Sequence, residues 1–354
     1  MAVPEFASQE RIPWTPRVVA GERPVRAPVA AVLVACDSGA HLGSAVEALL
    51  AQTVRPSRII VVDNASVDGA AESVARRYED VELIRLERNI GFAAASNLAV
   101  RRAHDCTWVA LVNPDAVPAS DWLERLLAAA QRNPDFAFFA SRLVSAGDAG
   151  VLDGAGDAYH VSGFAWRRGH GRRADETETR EVFSACAAAA LYRRGAFLEV
   201  GGFDETFFCY FEDTDLAFRL RLTGRRCLYV GSAVATHAGS TSTGRSSDFT
   251  LFHQQRNATW TFVKNMPGPL ALLYLPQHLL FQLFVLLWAT VRGRGLVVLR
   301  AQMAALRALP DLLRARRSVQ SARAVGSFEV RRAMSHGLSG YLVGAGRVRT
   351  HARA

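Results

Sequence analysis

Apolar runs separated by stretches of helical spacing constrain this chain more than any other feature. "VAAVLVA" (29–35) and "RIIVVD" (58–63) are apolar at nearly every position, and "VELIRL" (81–86) and the start of "TWVALVNPDAV" (107–117) repeat the pattern. Strands that are apolar throughout, rather than at alternate positions, suit a parallel sheet buried on both faces. Residues 40–52, 69–79 and 92–104 lie between these runs with helical spacing, and 121–133 follow the last of them. The alternation predicts an α/β fold with a mostly parallel, Rossmann-like sheet and helices on both faces. Ligands of such sheets sit beyond the carboxyl ends of the strands. The polar clusters "DNASVDG" and "NPDA", which follow the second and fourth runs, are therefore the expected site.

Half of the 354 residues are hydrophobic and 21% are charged, which is enough apolar material for a packed core. Five scattered cysteines, Cys36, Cys106, Cys186, Cys209 and Cys227, show no C-x-x-C spacing and leave an odd count. That speaks against a disulfide framework or a zinc site and suggests a reducing compartment. The first 27 residues are Pro-rich and mixed in charge without an apolar core segment, and read as an extended arm rather than a secretory signal.

The net charge of +9 is uneven: residues 292–354 carry +11, and the rest of the chain −2. An acidic main body argues against nucleic acid as the ligand. Residues 270–291 hold no formal charge at neutral pH and reach the length of a membrane span, but Pro276, Gln277, His278 and Gln282 interrupt them. One or two helices lying in the membrane interface are the expectation, with a span as second choice and a buried helix pair as the plain alternative. The basic amphipathic stretch that follows suits an anionic leaflet. The expected organisation is an arm (1–27), a catalytic domain (28–266), a membrane-associated helical segment (267–325) and a basic tail (326–354).

Several residues invite a chemical reading, each with a plainer alternative. Asp63 ends a strand and can accept from a base or ribose, or merely cap the next helix. Asp115 in "VNPDAV" can hold a hard cation that also takes diphosphate oxygens, or simply shape a turn. "FFCYFEDTDLAFRL" (207–220) sets Glu212, Asp213 and Asp215 directly behind a group of aromatics. Carboxylates there suit a helix N-terminus, and an apolar wall would raise the basicity of one of them. His237 in "ATHAG" can complete a metal site, and Arg256 in "QQRNATW" can meet a phosphate. Residues 145–180, rich in Gly and charge, read as a long functional loop.

In order and spacing, "IIVVDNASVDG", "RNIGFAAASN", "VNPDA", "VGGFDETFFCYFEDTDLAFRLRLTGRRCLYV", "ATHAG" and "RNATW" with Lys264-Asn265 resemble the family 2 glycosyltransferases of GT-A fold. The rhamnosyltransferase-like members that build bacterial cell-wall or O-antigen glycans are the nearest in pattern. The resemblance covers about residues 29–265. It implies a nucleotide-diphosphate sugar donor, a divalent cation (Mg²⁺ or Mn²⁺), inversion at the anomeric carbon, and a polyprenyl-linked or envelope glycan acceptor at the cytoplasmic membrane face. By position, it implies Asp213 as catalytic base with Glu212 beside it, and Asp115 and His237 at the metal. It further implies Asp37, Asp63, Asn64, Asn89, Asn97, Asn113 and Arg256 around the donor, and Gly202, Phe203 and Asp204 around the acceptor. The first strand ends in Cys36-Asp37 where the family has Tyr-Asn or Phe-Asn, and Asn113 replaces the first Asp of D-x-D.

Other readings are a nucleotidyltransferase, a basic peripheral membrane protein, a different hexosyl- or galactofuranosyltransferase, and an inactive scaffold. The first needs an early lysine-bearing Gly-rich loop, but the only lysine is Lys264.

Overall fold

The computed structural model describes residues 25–175, 177–239 and 247–337. The four apolar runs form one parallel half-sheet. β1 (Val25–Ala35), β2 (Val54–Asp63), β3 (Val81–Arg85) and β4 (Trp108–Val112) alternate with α1 (Ala40–Leu50), α2 (Ala70–Arg77) and α3 (Phe92–Arg102). β1 pairs in parallel with β2 and with β4, and β2 with β3. Both faces are buried: Ala31, Leu33 and Ala35 join the core that holds Leu42 and Val46 of α1. Ala30, Val32 and Val34 join the opposite core with Ala95 and Ala99 of α3. Double burial is the physical reason these strands lack alternation.

Beyond β4 the sheet becomes mixed. β5 (Ala116–Pro118), α4 (Trp122–Arg132) and β6 (Phe136–Ser145) come next. The stretch read as a loop contains three short strands, β7 (Leu152–Ala155), β8 (Asp157–Tyr159) and β9 (Ala165–Arg167), and runs into a fourth, β10 (Arg180–Val182). β11 (Ala189–Arg193) inserts antiparallel between β4 and β6. After α5 (Arg194–Glu199) and α6 (Glu212–Leu222), β12 (Arg226–His237) runs parallel to β6 and antiparallel to β5 and β10. The sheet order is β10-β12-β6-β11-β4-β1-β2-β3, with β5 and β7 attached at its side, while β8 and β9 form a separate hairpin.

The C-terminal part is helical: α7 (Asp248–Asn265), α8 (Gly268–Val291), α9 (Gly295–Arg307), α10 (Leu309–Ser321) and α11 (Ser327–Ala333). α8 is one helix that continues through Pro276, where the sequence left room for two. A single stripe of it, Leu270, His278, Gln282, Val285 and Ala289, is buried against the body. The opposite stripe, including Leu272, Leu279, Leu283 and Leu287, is exposed. α8 is long and apolar enough to cross a membrane by length and composition. The expected tail holds a packed start, since Val330 and Met334 are buried, and its part from residue 338 lies outside the described residues. The expected arm lies outside them to residue 24, and its predicted end at 27 falls within β1.

Candidate active site

The carboxyl ends of β1 and β4 open into a cleft of about 330 Å³. Asn113, Pro114 and Asp115 from the β4–β5 turn, His237 from the end of β12, and Glu212 and Asp213 from the start of α6 all line it. Strand register brings two of these together. His237 is paired with Ala116 across the β5–β12 ladder, and Ala238 donates its N–H to the Asp115 carbonyl at 3.0 Å. The result places His237 Nε2 3.3 Å from Asp115 Oδ1.

The His237 ring is fixed from behind. Its Nδ1 lies 2.7 Å from the buried carboxylate of Asp153. Asp153 in turn meets Arg167 and the His170 ring. Burial opposes charge on Asp153, but His170, His237 and Arg167 outweigh it and hold the carboxyl well below its usual range. Burial likewise pulls the His237 pKa down, yet Asp115 and Asp153 leave it raised overall. A carboxylate on Nδ1 fixes the tautomer that turns Nε2 toward a ligand. Nε2 is buried and makes no aligned hydrogen bond among the described residues. The donor set, one carboxylate and one imidazole facing an open cleft, fits a divalent cation that draws its remaining ligands from water and phosphate oxygens.

The base candidate is prepared differently. The aromatic stretch before α6 takes up a costly backbone: Phe208, Tyr210 and Phe211 have φ of 66°, 66° and 69°. Bulky residues in this left-handed region are strained and need outside support. Asn257 of α7 supplies it, donating to the carbonyls of Phe207, Cys209 and Tyr210 at 3.1, 2.9 and 2.7 Å. Gly91 lets the loop approach α3, since a Cβ there would stand 2.6 Å from the Phe208 carbonyl oxygen. The strained loop delivers Glu212 and Asp213 to the first turn of α6, where the helix dipole favours negative charge.

Asp213 Oδ1 accepts from the Thr214 N–H at 2.7 Å, and Oδ2 from the Ala187 N–H at 3.2 Å. Burial raises its pKa, and those two N–H groups and Arg167 offset only part of the rise. Burial and then the Asp213 charge push the Glu212 carboxyl well above its ordinary value, and its Oε2 has no hydrogen-bond partner among the described residues. Of the adjacent pair, Glu212 is pushed further above its ordinary range than Asp213. Asp157 and Cys186 approach Asp213 within 4.8 Å, with Arg167 as the nearby cation. Burial pushes the Cys186 thiol up, so it stays protonated there.

Other residues singled out in the sequence do not line the cleft. Asp63 Oδ1 accepts from the Ser66 N–H at 2.9 Å, the turn role rather than an open acceptor. Asn64 and Asn89 bond to each other at 2.8 Å, and Asn89 reaches Cys36 Sγ at 3.4 Å, bracing a residue of the cleft wall. Asp37, with φ 47°, accepts from Val67 N–H and is exposed. Asn97 is buried and clamps the Phe203 backbone at both its N–H and its carbonyl, which turns its amide away from the cleft. Gly202 and Phe203 pack on Asn97, Phe197 and Phe92 rather than lining the cleft. The Arg256 guanidinium stacks over Trp260 at 4.2 Å and donates to the Phe207 carbonyl at 3.0 Å, so it braces the aromatic loop from outside.

Asp204 is tied to Lys264, which also lies 2.7 Å from Asp215 and is 2% exposed. Lys264, followed by Thr206, outweighs burial and lowers the Asp204 carboxyl to about 2. The chain's only lysine thus pins α6 to α7. Lys264→Met removes the cation that the fully buried Asp215 shares with the partly buried Asp204, and should cost about 3–5 kcal/mol of stability. A urea titration checks this, and an unchanged midpoint would contradict the role.

Sequence reasoning missed Asp153, Asp157, Trp166 and Arg167. All four lie in the stretch read as a loop, and the only local signal is the pair of acids in "LDGAGDAY".

The glycosyl transferase family 2 model matches residues 31–201. An N-acetylglucosaminyl-diphospho-decaprenol L-rhamnosyltransferase of Mycobacterium tuberculosis is 32% identical over 60% of this chain and 77% of its own length. The O-antigen biosynthesis protein RfbC of Myxococcus xanthus is 29% identical over 57% of this chain, which spans only 16% of that protein. In fold, the chain is similar to GalNAc-T7, solved with UDP, GalNAc and Mn²⁺. The TM-score is 0.55 at 15% identity, over 68% of this chain and 48% of that one. The sequence matches carry the assignment: the chain belongs to glycosyl transferase family 2.

Proposed function

We propose that the cleft moves a hexosyl group, rhamnose from dTDP-rhamnose, with inversion onto a hydroxyl of a polyprenyl-diphosphate-linked glycan. The observation that carries this reading is the meeting, in one cleft, of a raised-pKa carboxylate at a helix N-terminus with the Asp115–His237 pair. The sugar and the lipid-linked acceptor follow the name of the mycobacterial relative.

In this reading Asp213 accepts the proton of the acceptor hydroxyl. That oxygen forms its bond to the anomeric carbon as the bond from that carbon to the diphosphate oxygen breaks, and the diphosphate leaves with the electron pair. Asp115 and His237 would hold a Mg²⁺ or Mn²⁺ ion, which supplies charge neutralisation for the departing diphosphate. Arg167, inside the cleft, supports the same negative charge in place of Arg256. Tyr210 and Phe211 wall the cleft beside the base and exclude water as a competing acceptor.

The exposed stripe of α8 supports action at a membrane surface, which the transferase reading puts at the cytoplasmic face. Its other stripe stays packed on the body, which favours a helix lying in the interface over a span. Each exposed leucine entering an apolar phase contributes about 1.5–3 kcal/mol. Arg292, Arg294, Arg300 and Arg307 in and beside α9 suit an anionic leaflet.

Transfer of radiolabelled rhamnose from dTDP-rhamnose to N-acetylglucosaminyl-diphospho-decaprenol in anionic vesicles tests the reading, with the product's anomeric configuration read by NMR. Labelled, inverted lipid product is expected, and an unchanged donor contradicts it. Replacing Leu272, Leu279 and Leu283 together with Glu is expected to reduce co-sedimentation with those vesicles at least tenfold. Undiminished sedimentation would remove α8 as the membrane face.

A further inference from the structure

The β8–β9 hairpin stands outside the main sheet and connects the cleft to the apolar helix. Its register pairs Asp157 with Arg167 and Ala158 with Trp166. Asp157, Ala165, Trp166 and Arg167 all line the cleft, beside Asp213. The other end of the hairpin is locked to α8. His278, buried in that helix, lies with Nδ1 2.7 Å from the Ser162 carbonyl oxygen. Gly163, at φ +90°, permits the approach, since a Cβ there would sit 2.9 Å from the same nitrogen.

An aromatic row runs along the hairpin between these ends. Phe164 immediately precedes β9 and Trp166 is the middle residue of that strand. Their rings stack with centroids 5.4 Å apart and planes 20° apart. Phe164 also meets Phe281 of α8 at 5.3 Å. The row therefore leads from the helix with the exposed apolar stripe to the wall of the cleft that holds the base. Trp166 is only partly buried at its end. A partly exposed indole in a cleft that also holds carboxylates is suited to a ring with one apolar and one polar side. Asp157 and Glu212 stand in the same cleft as acceptors for hydroxyl groups.

We propose that the β8–β9 hairpin forms an acceptor-side carbohydrate subsite, in which Trp166 stacks on the terminal sugar ring of a lipid-linked glycan whose lipid lies along α8. This rests on the transferase reading for the identity of the acceptor, but it concerns binding and is tested as binding. The hairpin holds the ring next to Asp213, and α8 fixes the hairpin relative to the lipid.

The test is equilibrium binding of a fluorescent short-chain polyprenyl-diphospho-N-acetylglucosamine to the full chain in detergent, followed by anisotropy. Trp166→Ala is expected to weaken binding at least tenfold, and Trp166→Phe to restore most of it, because a phenyl ring keeps both the stacking face and the contact with Phe164. Circular dichroism checks that both variants are folded. If Trp166→Ala destabilises the hairpin, Trp166→Leu, which fills the space without an aromatic face, should bind as weakly as the alanine variant. Equal affinity of wild type and Trp166→Leu overturns the subsite, and so does absence of binding by the wild type. Donor turnover by the wild-type protein, measured in the same preparation, reports separately on the transferase reading. Turnover without a Trp166 effect sinks only the subsite. Binding that depends on Trp166 without turnover sinks only the proposed reaction.

Discussion

Asp213→Asn is expected to lower sugar transfer by about 10²–10⁴-fold, the range a positioned general base supplies, while donor binding survives. The amide keeps the size of the side chain, and its one oxygen keeps one of the two N–H bonds, from Thr214 or from Ala187, that the carboxylate makes, so α6 and its strained approach should stand. What is lost is the ability to take a proton. Because burial raises the Asp213 pKa, the acid limb of the rate should lie above the ordinary aspartate value of about 3.9. Activity should fall as pH drops through that raised value, since a protonated Asp213 cannot accept the acceptor proton. Single-turnover transfer across pH, with nucleotide titration of the variant, checks both parts. Turnover equal to the wild type would remove Asp213 as base, and an acid limb at or below 3.9 would contradict the burial argument.

The second large effect concerns the opposite wall. Asp115→Ala removes the one carboxylate facing His237 Nε2 and should abolish the metal-dependent part of donor binding. Asp153→Asn is subtler and more diagnostic. It leaves Asp115 and His237 in place but weakens the grip on Nδ1, and loss of such a partner typically costs 10–100-fold in metal affinity. A Mn²⁺ titration of donor affinity separates the two variants: the first should show no metal response, the second a response displaced to higher Mn²⁺. An Asp115→Ala protein that binds donor like the wild type, with Mn²⁺ and with EDTA, would refute the metal assignment.

The parallel half of the sheet was readable because β1 and β2 are buried on both faces and show it as unbroken apolar runs. Asp213 was readable because its chemistry is local, a carboxylate pair directly behind aromatics at a helix start. Asp153 was not, because its meaning depends on His237, 84 positions away in the chain. Its strand, like β8, β9 and β10, is three or four residues long, too short to display a period of two. Arg256 reads as a phosphate partner in the sequence, and Asn257 appears there only within "RNATW". Only the fold reveals that their partners are the carbonyls of residues 206–210, groups that carry no sequence signal. Asn97 likewise reads as a polar residue available for a ligand until the Phe203 backbone is seen to occupy both ends of its amide.

Calorimetric titration of the full chain with dTDP-rhamnose, UDP-galactose, UDP-N-acetylglucosamine and GDP-mannose, each with Mn²⁺ and with EDTA, addresses the central claim most directly. The account predicts that dTDP-rhamnose binds with Mn²⁺ and loses at least tenfold in affinity with EDTA. Binding of no donor under either condition, or binding that ignores the metal, would contradict it.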